Sequence, residues 1–333
     1  MRLASFPRFP LTTTPTPLTR ARNLERALGP GCPRIFIKRD DLTGLAFGGN
    51  KARKLEYLVA DAIGQGATVL VTEGAVQSNH ARMTAAAAVI AGLKATLVLD
   101  ARHGADVQGN LLLDHLMGAD VRIVAGREER RELMGRIGDE LCAAGETPYV
   151  IPTGGSVPIG ALGYVAFVLE LLTQLVDAGE SVSRLYFATS SQGTQAGLVA
   201  GVRAFSAPFT PVGIAVEGTA AKLRAAGLPL ANATAELIEL GATLRRADYL
   251  IDDRFIGPGY GVPTPEGIEA IRLLARTEAI VLDPVYSGKA MAGLLAHVRA
   301  GEVTSDEAVV FLHTGGGPSV FAHRDALMGL HQG

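Results

Sequence analysis

The chain has 333 residues, of which 48% are hydrophobic and 19% are charged, and its formal net charge at pH 7 is -2. This composition excludes a disordered chain, and the length predicts about two domains. No basic stripe is visible, so nucleic acid is not expected as a partner. A membrane is not expected either, because no run is read as long and apolar enough to span one, and no signal peptide is recognised.

The chain contains two cysteines, Cys32 and Cys142, which lie far apart and lack metal-ligand spacing. We therefore expect no metal site, and we expect reduced thiols in a reducing compartment, which favours a cytoplasmic location. The first 24 residues contain arginines but no acids. A transit peptide is the alternative interpretation of that segment.

An extended arm is predicted for residues 10–20, and strands alternate with helices from Ala67 onward. Strands are predicted at 67–74, 95–100, 120–126, 149–155, 184–191, 211–218, 279–284 and 308–317. Helices are predicted at 79–91, 109–117, 128–143, 159–176, from 193, near 220 and 233, at 265–276 and 288–299, and at the C-terminus. Continuous apolar strands that alternate with helices predict an α/β fold with doubly wound, mostly parallel sheets.

The stretch "FGGNKARKLEYL", from Phe47 to Leu58, is typical of a helix start, with Asn50 as the expected N-cap. Gly48 and Gly49 give the backbone freedom there and allow a flat ligand to approach closely. Lys51 follows in the first turn, where the helix dipole disfavours a positive charge. A neutral amine is what Schiff-base chemistry needs, although a solvated basic face is the alternative.

Two further strand-to-helix turns carry polar groups suited to anions. The turn in "EGAVQSNH" contains Gln77, Ser78, Asn79 and His80, and its free backbone N–H groups predict a carboxylate site. A helix cap at Ser78 or Asn79 is the alternative interpretation.

The turn in "FATSSQGTQ" contains Ser190, Ser191, Gly193 and Thr194, and it predicts a phosphate cradle. It differs from the nucleotide-triphosphate and dinucleotide motifs.

With "RDDLTGLAFGGNKARKLEYL" and "EGAVQSNH", the chain resembles the fold type II, tryptophan-synthase-β-like, pyridoxal-phosphate enzymes. Within them it is most similar to the branch of D-cysteine desulfhydrase and aminocyclopropane-carboxylate deaminase. The resemblance implies pyridoxal 5'-phosphate as cofactor, a small amino-acid substrate and a homodimer. It also implies a large domain of residues 1–47 plus 163–333 and a small domain of residues 48–162.

The resemblance also implies roles for individual residues. Lys51 would hold the cofactor through a Schiff base, Asn79 would contact its ring oxygen, and Ser78 with its neighbours would hold the substrate carboxylate. The implied cofactor-binding residues are Asn50, Lys51, Lys54, Asn79, Ser190, Ser191, Gln192, Gly193, Thr194, Ser287 and Thr314. The implied substrate-binding residues are Gln77, Ser78, Asn79, His80, Tyr260 and Tyr286, and the implied catalytic residues are Lys51, Ser78, Tyr260 and Tyr286.

Gln192 departs from the family pattern, whereas Ser287 and Thr314 are the residues that the desulfhydrases carry. The family usually has glycine where Gln192 stands, which puts that side chain in question but not the backbone of the loop. Ser287 and Thr314 stand where the deaminases carry Glu and Leu. Hydroxyls in place of a carboxylate leave the pyridine ring a weaker electron sink, which suits β-elimination better than ring opening.

A lyase that converts D-cysteine to pyruvate, hydrogen sulfide and ammonia is therefore predicted. L-cysteate sulfo-lyase and aminocyclopropane-carboxylate deaminase are the enzymatic alternatives, and a non-catalytic amino-acid or pyridoxal-phosphate binder is the alternative outside enzymes.

Overall fold

The structure is a computed structural model that describes residues 1–102 and 104–329. The strands are β1 (Leu18–Arg20), β2 (Arg34–Lys38), β3 (Val69–Ala75), β4 (Lys94–Asp100), β5 (Asp120–Val124), β6 (Pro148–Ile151), β7 (Arg184–Thr189), β8 (Thr210–Ala215), β9 (Leu250–Asp252) and β10 (Ala308–Leu312). The helices are α1 (Arg22–Leu28), α2 (Lys51–Gly64), α3 (Asn79–Ala91), α4 (Gly109–Leu116), α5 (Arg127–Ala143), α6 (Pro158–Asp177), α7 (Gly193–Phe205), α8 (Ala220–Leu237), α9 (Pro265–Glu278), α10 (Ser287–Arg299), α11 (Gly317–Ala322) and α12 (Arg324–Met328).

The strands form two sheets. The larger sheet has the order β1-β2-β10-β7-β8-β9, in which β1 runs antiparallel to β2 and the other pairings are parallel. The smaller sheet has the order β5-β4-β3-β6 and is parallel throughout. The predicted α/β class with mostly parallel sheets is therefore confirmed.

The sheets occupy different parts of the chain. The strands of the smaller sheet lie between residues 69 and 151, inside the predicted small domain, and those of the larger sheet lie outside it. The exact division at 48–162 stays a prediction, and residues 330–333 of the predicted large domain lie outside the described part of the chain.

Burial explains the composition of the central strands. Every residue of β10 is buried, and its apolar side chains pack into separate cores on the two faces of the larger sheet. Helix α10 packs against β7 and β8, whereas α3 packs against β3 and β4 of the smaller sheet. Since parallel strands end at one edge of a sheet, the loops after β3, β7, β8 and β10 are placed to form a common site.

The N-terminal arm is held by the carboxylate of Glu56 in α2. The Glu56 side chain accepts hydrogen bonds from the backbone N–H of Leu11 and from the hydroxyl of Thr12, at 3.3 and 2.6 Å. The arm then enters β1, so the predicted extended segment is confirmed and ends in a strand.

Helix α6 corrects the expectation that no segment is long and apolar enough to span a membrane. By length and composition alone this 20-residue helix passes that test, with 56% of its most apolar window buried inside the protein. It packs against α2, α7 and α8. Its apolar composition is accounted for by a position in the core of the fold.

The predicted strand at 279–284 is wrong. The backbone there turns around Asp283, whose carboxylate accepts hydrogen bonds from the N–H groups of Val285, Tyr286 and Ser287 at 2.8–2.9 Å. An aspartate that bonds the following backbone in this way competes with strand pairing.

Other predicted bounds need smaller changes. The helical stretches near 220 and 233 form one helix, α8, which contains Pro229. The predicted C-terminal helix is divided into α11 and α12. Elements α1, β2 and β9 were not predicted, because each is short and carries little periodic signal.

Candidate active site

The ends of β3, β7, β8 and β10 border a cavity of about 520 Å³. The predicted site residues that line it are Asn50, Lys51, Ser78, Asn79, His80, Ser190, Ser191, Gln192, Thr194, Tyr260, Tyr286 and Thr314. The predicted residues Lys54, Gln77, Gly193 and Ser287 are not part of the lining, and the side chain of Gln77 is instead bonded to the backbone of Gln108 and Asn110. The structure therefore brings residues from both sheets to one cavity, as their positions after strands predict.

Close backbone packing explains the glycine pair before Lys51. A Cβ atom on Gly48 would lie 1.9 Å from the carbonyl oxygen of Asp41, and one on Gly49 would lie 3.1 Å from that of Thr314. The loop thus lies between residue 41 and the end of β10, where a side chain has no room. This fixes the start of α2 and hence Lys51.

Asn50 does not cap α2 with its side chain, which corrects the expected N-cap. Its Nδ2 instead donates a hydrogen bond to Oγ1 of Thr194 at 3.0 Å, and its backbone N–H donates to the carbonyl of Thr314 at 3.0 Å. Asn50 therefore ties the loop of Lys51 to the loop after β7.

Burial makes Lys51 a readily deprotonated amine. It lowers the pKa of Lys51 to about 8, and a hydrogen bond with Lys54 partly opposes this change. Burial also lowers the pKa of Lys54 well below its usual value, and the charge of Lys51 adds to that effect. The lowered pKa expected from the helix dipole is thus present, with desolvation as its main cause.

The side chain of Lys54 lies close to Gly193, the first residue of α7, without lining the cavity. Its Nζ donates to the carbonyl of Gly154 at 2.8 Å, and a Cβ atom on Gly193 would lie only 2.6 Å from that Nζ and 3.0 Å from Oγ of Ser156. An amine and a helix N-terminus that converge in this way fit a phosphate. Ser156 and Gly154 were missed from the sequence, because they belong to a different loop.

The side chain of Gln192 turns away from the cradle. Its backbone is left-handed, with φ of 71°, a conformation in which glycine is unstrained. Its Nε2 donates to the carbonyl of Ser190 at 2.5 Å, and its Oε1 accepts from the hydroxyl of Tyr249 at 3.0 Å. The loop therefore offers its backbone and hydroxyls to a ligand.

Ser78 both caps a helix and faces the cavity, so the two interpretations of this turn are compatible. Its Oγ accepts a hydrogen bond from the N–H of Ala81 at 3.2 Å, which leaves the hydroxyl proton free to be donated. A Cβ atom on Gly74 would lie 2.7 Å from this Oγ, so only glycine fits opposite it.

His80 is a neutral buried imidazole beside the two lysines. The hydroxyl of Thr72 donates to the carbonyl of Ile151 at 2.7 Å and lies 2.9 Å from Nε2 of His80. Because that hydroxyl proton is already used, Nε2 carries the hydrogen and Nδ1 is a free acceptor. Burial lowers the pKa of His80 well below its usual value, and the charges of Lys51 and Lys54 reinforce this.

Tyr260 and Tyr286 form a hydrogen-bonded pair of phenols. Their hydroxyls contact one another, and their rings meet edge to face with centroids 5.9 Å apart. Burial raises the pKa of Tyr260 and raises that of Tyr286 well above its usual value. Both phenols stay protonated at neutral pH, so the pair retains one hydroxyl proton that can be donated to a bound molecule.

The two branch-distinguishing hydroxyls are placed differently. Thr314 lines the cavity, whereas Ser287 is fully buried. The Ser287 hydroxyl donates to Oδ1 of Asp283 at 2.6 Å and accepts from the N–H of Asp283 at 2.8 Å. The contact of Ser287 with a bound pyridine ring stays a prediction.

A rim of charged side chains was not anticipated from the sequence. It comprises Glu73, Arg102, Arg127, Arg130, Arg131 and Glu217. Arg127 pairs with Glu217, and Arg130 pairs with Asp100 at 2.6 Å. The run "REERR" at the start of α5 is the signal that could have located the rim, but a helix with such a run is usually a solvated face.

A comparison with known proteins identifies the family. Residues 10–315 match the family described as pyridoxal-phosphate dependent enzyme. This chain belongs to the pyridoxal-phosphate-dependent enzymes. Pyridoxal phosphate is accordingly its cofactor, as predicted.

Two curated relatives match nearly their whole length. The chain is 41% identical to a 1-aminocyclopropane-1-carboxylate deaminase of Burkholderia ambifaria, with 98% of each chain covered. It is 42% identical to a D-cysteine desulfhydrase of Yersinia enterocolitica, with 97% of each covered. The resemblance to this branch is therefore confirmed.

Comparison with solved structures supports the same family and fold. A homologue of aminocyclopropane-carboxylate deaminase superposes with a TM-score of 0.90 at 41% identity, covering 99% of this chain and 98% of that one. O-ureido-L-serine synthase superposes with a TM-score of 0.69 at 15% identity, covering 99% and 96%, which indicates a shared fold alone. The fold is thus that of the type II enzymes.

The residues of the cavity fit the cofactor. Lys51 supplies a partly neutral amine. The start of α7 and Lys54 together form a site that fits an anion, and any side chain on Gly193 would collide with Lys54. These features match an aldehyde that condenses with an amine and carries a phosphate.

The rate at which pyridoxal phosphate attaches to Lys51 should depend on pH with a pKa of about 8, that of the Lys51 amine. Because only the neutral amine attacks, the rate should rise about tenfold per pH unit below pH 8 and level off above it. Cofactor-free protein mixed with pyridoxal phosphate, reduced with borohydride at timed intervals and mapped by peptide, gives both the rate and the site.

Free N-acetyl-lysine is the control for this experiment, and its rate should keep rising to about pH 10. Label on Lys38, Lys54 or Lys289, or a protein rate that follows the control above pH 9, would contradict the assignment.

Thr194→Val should weaken cofactor binding about tenfold, because it removes one hydroxyl from the cradle and leaves Nδ2 of Asn50 without its acceptor. The dissociation constant is measured by equilibrium dialysis against pyridoxal phosphate. Thr234→Val is the matched control, since the buried hydroxyl of Thr234 donates to Leu230 within α8 at 2.7 Å. Equal losses in the two variants, or none in either, would count against the cradle.

Proposed function

We propose that this enzyme is a lyase that removes the β-substituent of a small amino acid, with D-cysteine as the leading substrate. D-cysteine and water would give pyruvate, hydrogen sulfide and ammonia. The observation that carries the proposal is that an amine with a lowered pKa, Lys51, shares one cavity with a serine N-cap and a phenol pair. When bound, pyridoxal phosphate supplies an electron sink for the carbanion formed at the α-carbon.

The site offers an anchor for the substrate carboxylate. The hydroxyl of Ser78 and the first N–H groups of α3 lie at the positive end of that helix. Asn79 adds an amide to the same turn. We assign the carboxylate to this turn and the phosphate to the start of α7, which lies across the cavity.

Two groups can move protons. Lys51, once exchanged for the substrate amine, is a base at Nζ that can take the α-hydrogen, because burial favours its neutral form. The phenol pair of Tyr260 and Tyr286 holds one proton that can be delivered to the leaving sulfur. A departing thiolate is thereby neutralised as its bond to carbon breaks.

A specific observation favours sulfonate substrates as the second candidate. Sulfite loss from L-cysteate needs a cationic pocket for the sulfonate, and arginines of the rim, including Arg102 and Arg131, line the cavity. Several of these charges are already offset by acids, as in the pair of Arg127 with Glu217. We therefore rank L-cysteate below D-cysteine. A non-catalytic binder ranks last, since it has no need of Lys51, Ser78 and Tyr286 together.

We also propose that the enzyme is a cytoplasmic homodimer with a small domain at residues 48–162. Both cysteines, Cys32 and Cys142, are free thiols, which suits a reducing compartment. Exposed aromatic side chains, such as Phe47 and Phe321, provide apolar surface that a second copy would cover.

D-cysteine should be converted faster than L-cysteine. Once the carboxylate is anchored at Ser78, only one enantiomer aims its α-hydrogen at the base, and a misplacement of about 1 Å can cost about 100-fold in rate. Initial rates of pyruvate formation are compared for D-cysteine, L-cysteine and L-cysteate, with sulfide and sulfite as second readouts. If either L-compound reacts clearly faster, the assignment of D-cysteine as substrate is wrong, whereas the assignment of β-elimination chemistry stands.

Ring opening of aminocyclopropane-carboxylate should be weak or absent. Ser287 and Thr314 place no carboxylate at these two positions, and the Ser287 proton is held by Asp283. A ring nitrogen without a carboxylate partner is a weaker electron sink. Keto-acid formation from this substrate is measured beside that from D-cysteine. Comparable turnover of the two would refute the electronic argument.

A further inference from the structure

Arg82 of α3 is a charged side chain with no solvent contact. Its exposed fraction is 0%, and burial lowers its pKa to about 10. It forms no ion pair among the described residues. The nearby carboxyl of Asp114 is buried without a hydrogen-bond partner, and burial raises its pKa to about 8. A guanidinium buried without a paired carboxylate is costly, so its hydrogen bonds deserve a functional explanation.

Those hydrogen bonds join the loop of Lys51 to the helix of Asn79. Nη2 of Arg82 donates to the carbonyl of Gly48 at 2.9 Å. Nη1 donates to Oδ1 of Asn110 at 2.9 Å and to Oδ1 of Asn79 at 3.4 Å. One planar fork therefore spans two elements that border the cavity.

The network also fixes which way the amide of Asn79 points. Its Oδ1 accepts a second hydrogen bond, from Nδ2 of Asn110 at 3.0 Å. With the oxygen held by two donors on the protein side, the Nδ2 of Asn79 is the group left to face the cavity. If the amide were flipped, its NH₂ group would face two other donors, Nη1 of Arg82 and Nδ2 of Asn110.

We propose that Arg82 is a positioning residue, which acts through Asn79 by orienting its amide as a hydrogen-bond donor to the cofactor. The inference rests on the proposed function and on the contact between Asn79 and the ring oxygen of pyridoxal phosphate that the family resemblance implies. That oxygen is an anion in the bound form, so a donor stabilises it and an acceptor does not. Arg82 itself touches no part of the cavity.

A double-mutant cycle between Arg82 and Asn79 tests whether Arg82 positions Asn79 or only stabilises the fold. Pyridoxal-phosphate dissociation constants are measured for Arg82→Met, Asn79→Ala and the double variant. Each single change should weaken binding about tenfold. If Arg82 acts through Asn79, the double variant should be no more than about tenfold weaker than wild type, whereas independent effects would multiply to about 100-fold.

A spectroscopic readout accompanies the affinities. The absorption maximum of the bound cofactor should shift in the same direction in Arg82→Met and Asn79→Ala, because both lose the donor to the ring oxygen. Asn110→Ala, which removes the other donor to Oδ1 of Asn79, should shift it the same way. Arg82→Lys should behave as Arg82→Met, since one ammonium cannot replace the fork.

Thr84→Ala is the structural control, because Thr84 is fully buried in the same helix and its hydroxyl has no partner. The loss of its buried methyl group should lower the melting temperature slightly, without changing the spectrum or the affinity. Multiplicative losses in the double variant, an unshifted spectrum in Arg82→Met, or wild-type affinity in Arg82→Lys would overturn the proposal. Because no substrate is added, these outcomes do not depend on whether D-cysteine is turned over.

Discussion

The site depends on the contact of two backbones. Gly49 forms a bridge with Gly315, and a Cβ atom on Gly315 would lie 2.7 Å from the Cα of Gly49. Here the loop that precedes Lys51 meets the end of β10, one of the two central strands of the larger sheet. The contact brings an amine from the start of α2 to the edge where the parallel strands of the other sheet end. Together with the hydrogen bond from Asn50 to Thr194, it holds Lys51 beside the start of α7.

Buried positive charge is the second feature that organises the cavity. Lys51, Lys54 and Arg82 all have lowered pKa values, and burial is the main cause in each. No acid within the described residues forms an ion pair with any of the three. An anionic ligand bound near Lys51 and Lys54 would recover part of the lost interactions. The same desolvation therefore favours the neutral, reactive form of the Lys51 amine and the binding of an anion beside it.

The sequence predicted those parts of the structure that a short pattern encodes. Strand–helix alternation predicted mostly parallel sheet, although β2 and β9 were missed. The positions of Lys51 at a helix start and Ser78 in a strand-to-helix turn predicted where these residues would lie. The strand expected at 279–284 failed because Asp283 bonds the following backbone, a local competition that apolar composition conceals. The position of the rim arginines at the cavity was not predicted for another reason. A charged helix start usually faces solvent, and only the packing of the two sheets determines whether it borders a cavity instead.

The buried network was also outside the reach of sequence patterns. Arg82 lies three residues after Asn79, yet its other partners, Gly48 and Asn110, are far away in the chain. Likewise, Gly154 and Ser156 reach the cradle from the loop after β6. Contacts of this kind have no period and no motif, so they appear only once the two sheets are assembled.

The close approach at Gly48 has a consequence for mutational tolerance. Any side chain there would collide with a carbonyl oxygen 1.9 Å away, whereas a side chain on Gly135 or Gly138 of α5 would meet no atom within 4 Å. In a library of random variants, the loop before Lys51 should therefore be nearly closed to change, while outer helices vary freely. Substrate range should change more readily through substitutions at the charged rim around Arg131, where side chains line the cavity.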